Sequence, residues 1–223
     1  MDCSTRCRSS VSPRACASGW RASVAPVSDQ PFEVRDVEPG DADVVLEVIR
    51  SAFGAGGSAH GDQVAGLWAE VRAGEHLLAE RVAVVDGEVV GHVGVSHCWL
   101  DARRELVPMA MLSPLSTVPD RERQGIGSAL VAAAIEAGRD TGRPALVLEG
   151  SPTFYSTRGF RPASDHGIEA PTVRVPPPAF QVVAYALEDW MTGRVVYPEV
   201  WWRHDSTGMR DPDLAEVEAA LRR

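Results

Sequence analysis

The sequence contains no lysine. Its 22 basic residues are all arginine, set against 31 acids, and the formal net charge is −9. We read the arginine-only usage as compositional bias. The acidic balance excludes nucleic acid as a main partner, because phosphate backbones need a basic face. Without lysine there is no P-loop, whose signature ends on Lys-Ser/Thr. Cysteine is scarce: Cys3, Cys7 and Cys16 crowd the start and Cys98 stands alone. Their spacing matches no zinc site and no disulfide framework, so a reducing, cytoplasmic setting is the expectation. No apolar run approaches the roughly 18 residues of a membrane helix; the stretch Ala129 to Ile135 is short. A Gly-x-Ser-x-Gly nucleophile elbow is also missing, which removes the usual support for a hydrolase.

Residues 1–30 are rich in Ser, Arg, Ala and Cys and lack the apolar segment of a secretory signal. They read as a disordered or mis-assigned tail. From Phe32 the pattern becomes regular. "FEVRDV" alternates as a strand. Asp41 is placed as the N-cap of a helix whose inner face holds Val44, Val45, Val48, Ile49 and Phe53. "GAGGSAHG", residues 54–61, reads as a loop, and a second helix is expected over residues 62–72. Asp86-Gly87 between two β-branched runs marks a hairpin. A further turn near residues 101–104 leads into a strand ending at Val118. "PALVLEG" reads as a strand buried on both faces, and "TFYSTRG" as a short helix closed by Gly159. "AFQVVAYAL" and "GRVVYP" are late strands, and a terminal helix begins with Asp211 as cap and Pro212 at its first position. Interleaved helices around an antiparallel meander make a mixed α/β (α+β) domain. Its expected span is 31–203, followed by an extension, 204–223, with a short helix.

"RERQGIGSALVAAAIEAG", residues 121–138, sets Gly125 and Gly127 at the mouth of a helix. A helix start leaves backbone N–H groups unpaired and carries about half a positive charge. Bare glycine lets a phosphate reach those amides. A dinucleotide fingerprint needs a third glycine where this chain has Leu130. The residues alone leave two readings open, an anion cradle or a tightly packed helix start.

"LSPLSTVPDRERQGIGSALV" followed by "ALVLEGSPTFYSTRGFRPA" resembles the GCN5-related N-acetyltransferase (GNAT) family, in its bacterial branch. "VAVVDGEVVGHVGVS" is similar to the family's second and third strands, and "FQVVAYALEDWMTGRVVYPEVW" to the final strands of that branch. The likeness spans about Phe32 to Trp202. It implies an acyl-CoA N-acyltransferase fold, with the sheet splayed between its fourth and fifth strands. It implies acetyl-CoA as cosubstrate and no metal. The pantetheine arm would pair with the backbone of Leu115, Ser116, Thr117 and Val118, and the pyrophosphate would rest on Arg123, Gln124, Gly125, Ile126, Gly127 and Ser128. Phe154 and Tyr155 would complete the cosubstrate site. Glu122 departs from the family's Gln or Arg at that place; it is expected to face solvent, with Arg121 or Arg123 compensating.

Acetyl transfer to an amine needs a base, an oxyanion donor and an acid for the leaving thiolate. The resemblance puts Tyr155 in the acid role. A backbone N–H near Leu115 or Ser116 is the expected oxyanion donor, and Pro114 should bend that strand. Glu149, His97 and Ser116 are the candidates for base or relay, while His60, His92 and His166 are read as bystanders. The leading expectation is an acetyl-CoA-dependent N-acetyltransferase acting on a primary amine in a ternary complex, with no nucleic-acid or membrane partner. A non-catalytic acyl-CoA-binding regulatory module is the alternative. A structural partner role for the terminal helix, through Leu214, Val217 and Leu221, is weaker.

Overall fold

A computed structural model describes residues 31–54 and 58–221; the tail read at 1–30 lies outside them. The strands are β1 (Glu33–Asp36), β2 (Leu77–Val85), β3 (Glu88–Ala102), β4 (Leu106–Thr117), β5 (Ala145–Glu149), β6 (Arg161–Pro162), β7 (Ile168–Glu169), β8 (Phe180–Ala184) and β9 (Gly193–Val196). The helices are α1 (Ala42–Phe53), α2 (Ser58–Ala73), α3 (Ile126–Asp140), α4 (Pro152–Tyr155), α5 (Glu199–Arg203) and α6 (Asp213–Leu221). One sheet takes in all nine strands, in the order β1-β2-β3-β4-β5-β8-β6, with β9 and β7 on the far half of β3.

Strands β1 to β4 pair antiparallel; short turns join β2 to β3 and β3 to β4, while α1 and α2 lie between β1 and β2. Asp86 and Gly87 turn the β2–β3 hairpin, both at positive φ. β4 and β5 are parallel, joined by the crossover through α3. Their pairing is limited to Ala110 with Leu146 and Met111 with Val147. Beyond Met111, β4 runs on to Thr117 with no described strand beside it on that flank. The sheet is therefore splayed between its fourth and fifth strands. Val93 pairs with Leu115 and Val95 with Leu112. One extra β4 residue is accommodated between them, the bulge expected at Pro114.

Alternation along the strands divides the core between the two faces. Leu146 and Leu148 of β5 pack with Ile126, Leu130 and Val131 of α3. Ala145 and Val147 face the opposite cluster, with Val45, Ile49, Trp68 and Trp201. The expectation of a doubly covered fifth strand holds.

Several local expectations change. Asp41 holds the N-cap position of α1 as expected, but its side chain makes no capping bond there: the carboxylate takes Arg35 at 2.6 and 3.1 Å and the Glu38 amide at 2.8 Å. The guanidinium and the Glu38 amide occupy the oxygens that the first turn of α1 would otherwise use. Val44 is 38% exposed, so the inner face of α1 is Val45, Val48 and Ile49, with Phe53 partly buried. Residues 58–61, read as loop, belong to α2, whose Gly61 packs on the Arg50 carbonyl so closely that a Cβ would stand 2.5 Å from its oxygen. Glycine composition there serves helix contact, not a turn. "GRVVYP" does not extend the late edge; β9 pairs with Trp99–Ala102 of β3 and with β7. Pro212 precedes α6, whose described residues are all at least partly exposed.

Candidate active site

The splay between β4 and β5 opens into a cavity of about 760 Å³ lined by Leu115, Thr117, Gly125, Gly127, Ser128 and Arg158. Helix α3 docks by burying Ile126 and Leu130, which fixes its first turn at the cavity wall. Gly125 adopts φ +90°, a left-handed conformation that glycine reaches without strain. Around it nothing lies within 4 Å of a notional Cβ, and at Gly127 only the Phe154 ring does, at 3.6 Å. The earliest helical bond at this end runs from the Ala129 amide to the Gly125 carbonyl. The amides of residues 125–128 precede it and have no acceptor within the helix. They stand over bare backbone at the cavity.

The flank of β4 supplies more donors. The Val118 amide donates to the Val90 carbonyl of β3. Alternation along the strand turns the Leu115 and Thr117 amides to the other side, toward the splay. Glu122 is exposed and lines the cavity with Arg121 and Arg123. The Gln124 side chain turns back to the Asp120 carbonyl at 3.2 Å.

A second chamber, about 380 Å³, meets the first at Phe53 and Leu115. Tyr155 and Glu149 both line it. The Tyr155 ring is held edge-on between Phe154 and Phe160, at 4.9 and 5.6 Å between centroids. Burial pushes its phenol up to about 12, so the hydroxyl keeps its proton at neutral pH. Glu149 receives the Gly208 amide on Oε2 at 3.0 Å, while its buried Oε1 has no hydrogen-bond partner. Burial raises this carboxyl above the ordinary range, against the Gly208 bond, the neighbouring Tyr197 and Arg174. The Tyr197 hydroxyl stands beside Glu149, yet reaches hydrogen-bond geometry with no partner.

The other sequence candidates lie elsewhere. Ser116 lines the first cavity only, and its hydroxyl donates to the His92 carbonyl at 3.4 Å. His97 lines neither chamber; its Nδ1 lies 3.2 Å from Arg143, and burial and that guanidinium lower its pKa. His92 sits in the core on Glu80 at 3.0 Å. His60, read as a bystander, lines the second chamber edge-on to Phe53.

Four participants escape sequence reading. Arg158 stacks on Phe154 at 3.7 Å and donates to the Ser128 hydroxyl at 2.7 and 3.0 Å, and also to the Phe154 carbonyl. It thereby ties the segment after α4 to the start of α3. Gly150 leaves room for Tyr155, whose Cε2 would lie 2.4 Å from an added Cβ. Tyr197 and the segment 205–208 complete the chamber around Glu149. Only Arg158, a basic residue just past the aromatic pair, leaves a local trace. Among the described residues no cluster of His, Cys, Asp and Glu is arranged to hold a metal, and no helix is long and apolar enough to cross a membrane.

A family model for the acetyltransferase (GNAT) domain matches residues 33–163. The chain belongs to the GNAT family. This membership makes it an acetyltransferase. It is 30% identical over 141 residues to YjhQ, an uncharacterized N-acetyltransferase of Escherichia coli, across 63% of this chain and 76% of that protein. Among solved structures, the GNAT family N-acetyltransferase YhbS of Escherichia coli, in complex with CoA, is 28% identical with a TM-score of 0.66. That match covers 77% of this chain and 92% of YhbS. A GNAT acetyltransferase from Brucella melitensis, in complex with acetyl-CoA, shares the fold at 24% identity and a TM-score of 0.61, over 77% of this chain and 99% of that one.

Proposed function

We propose that the protein moves the acetyl group of acetyl-CoA to a primary amine by direct attack in a ternary complex. One observation carries this reading: an amide-lined cavity at the glycine loop meets, at Leu115, a chamber holding a buried carboxylate and a protonated phenol. The amides of residues 125–128 hold the diphosphate, and Arg158 adds a cation at the same wall. The Thr117 and Leu115 amides receive the pantetheine arm as an added strand would be received. Glu149 takes one proton from the bound ammonium through its unpartnered Oε1 and releases it to solvent, leaving the neutral amine to attack. A new C–N bond forms at the thioester carbonyl and the C–S bond breaks. The Leu115 amide faces the oxyanion, and Tyr155 passes its proton to the departing sulfur and regains one from the adduct nitrogen as the amide forms. The products are an N-acetyl amide and CoA thiol.

The buried carboxylate favours turnover over the binding-only alternative. A module that only held acyl-CoA would gain nothing from an unsatisfied charge in the adjoining chamber. We place the reaction in the cytoplasm, where the buried thiol Cys98 stays reduced. Mixing the protein with acetyl-CoA and a panel of primary amines, with thiol release as readout, tests the reading. Amine-dependent release supports it, and binding of acetyl-CoA with no release for any amine contradicts it.

A further inference from the structure

The second chamber carries a reading of its acceptor. Its volume, about 380 Å³, is at the small end of ligand sites, which run from about 300 to 1,000 Å³. Its walls include Phe53, Val64, Leu67, Met111 and Trp201, and among these Met111 and Trp201 are 2% and 1% exposed. Against this apolar surface stand two acidic side chains. Asp205 is already neutralised, by Arg210 at 2.6 and 2.7 Å, with Arg174 at 3.9 Å. Glu149 has no cation within ion-pair distance, Arg174 acting on it only from farther off, and its Oε1 is unsatisfied. The Tyr197 hydroxyl beside it is unsatisfied as well.

A carboxylate oxygen and a hydroxyl oxygen side by side, neither in hydrogen-bond geometry with the protein, can both accept from an ammonium, which offers three N–H donors. A single unpaired carboxylate matches one positive charge. Further cations on the same ligand would be stranded against apolar walls, which is costly. The C-terminal segment closes the chamber at Ser206 and Gly208. Its grip is built in: Gly208 bonds Glu149, Met209 bonds the Arg174 carbonyl at 3.1 Å, and Thr207 is fully buried.

We propose that the acceptor is a small monoamine, one ammonium group on a compact apolar body, received by Glu149 and Tyr197 inside a chamber that the segment 205–208 completes. This rests on the acetyl-transfer reading of the same site, and it narrows the acceptor from any amine to one chemical class. Polyamines, amino sugars and lysine-bearing polypeptides are disfavoured by the single charge, the apolar walls and the closing segment respectively.

Calorimetry on the full chain saturated with CoA tests the class without turnover. The probes are 2-phenylethylamine, its neutral counterpart 2-phenylethanol, spermidine and a lysine-containing peptide. The expected result is 2-phenylethylamine binding about tenfold or more tighter than each of the other three. Glu149→Gln is expected to bring the amine down to the level of the alcohol, with acetyl-CoA binding retained as evidence of folding. Spermidine or the peptide binding as tightly as 2-phenylethylamine would overturn the proposal. So would an unchanged amine preference in Glu149→Gln, or acetyl-CoA binding with no affinity for 2-phenylethylamine. If the variant fails to fold, the four-probe comparison on the unmodified chain decides alone. Acetyl-CoA failing to bind at all would instead sink the acetyl-transfer reading, so the two failures are separable.

Discussion

On the proposed mechanism, the surroundings that make the charge of Glu149 costly also ready it to take a proton. Burial raises its pKa, which brings it nearer to that of an amine and makes it a stronger base. Activity should therefore fall as pH drops through that raised value, above the limb of an ordinary glutamate. Glu149→Gln should remove this acidic limb and lower kcat. Stability should move the other way. A carboxyl whose folded pKa is raised favours the native state at low pH and opposes it once ionised. Glu149→Gln should then melt higher than the parent at neutral pH; a lower melting temperature there would contradict the burial argument. Tyr155 makes a second residue-scale test. Tyr155→Phe keeps the ring that packs on Phe154 and Phe160, so acetyl-CoA affinity should stay within about twofold while kcat falls about tenfold or more. Equal loss of both would assign Tyr155 to binding.

At the scale of elements, the start of α3 and the seam beneath α2 make separable demands. The first turn of α3 prefers anions whatever their source. A carboxylate at position 127 should therefore satisfy the helix and repel a diphosphate. Gly127→Asp is expected to hold or raise the melting temperature, since a Cβ there meets only Phe154 at ordinary contact distance. Beneath α2, Glu80 takes Trp68 at 2.6 Å, His92 at 3.0 Å and Arg72 at 3.0 Å. Burial alone would raise this carboxyl, but His92, Trp68 and Arg72 together hold it below its usual value. His92 is depressed by burial, which keeps it neutral. Both shifts have one sign: the unfolded chain binds protons that the native state does not, so stability falls with pH. The loss begins as the unfolded histidine protonates, near 6.5, and deepens as pH falls through the depressed value of Glu80. Glu80→Ala should cost about 3 kcal/mol, because it strands Arg72 and His92 in the interior. Urea titrations of both chains between neutral and mildly acidic pH measure this. A flat profile in the parent would contradict the linkage.

The whole molecule divides its site between segments far apart in the chain. The strands, the hairpin at Asp86-Gly87, the glycine-opened helix and the Tyr155 segment are legible in the sequence because each depends on local periodicity or turn chemistry. The environment of Glu149 is not, because its amide donor Gly208 lies 59 residues downstream. Arg158 and Ser128 meet across 30 residues for the same reason. Asp41 marks the start of α1 but gives its carboxylate to Arg35, and residues 58–61 mislead because loop preference is a weak prior that the packing of α2 overrides. The division has a testable consequence. Residues 205–208 wall the second chamber, whereas no residue of α6 lines it or is fully buried. A chain ending at Asp211 should keep acetyl transfer within about twofold, and one ending at His204 should lose most of it while still binding acetyl-CoA. Equal activity of the two truncations would remove the C-terminal segment from the site.

Calorimetric titration of acetyl-CoA into the parent and Gly127→Asp, side by side, tests the anion cradle most directly. The account predicts saturable one-to-one binding by the parent and at least about tenfold weaker binding by the variant, with its thermal stability intact. No heat of binding by the parent at millimolar acetyl-CoA, or equal affinity in the two proteins, would contradict it.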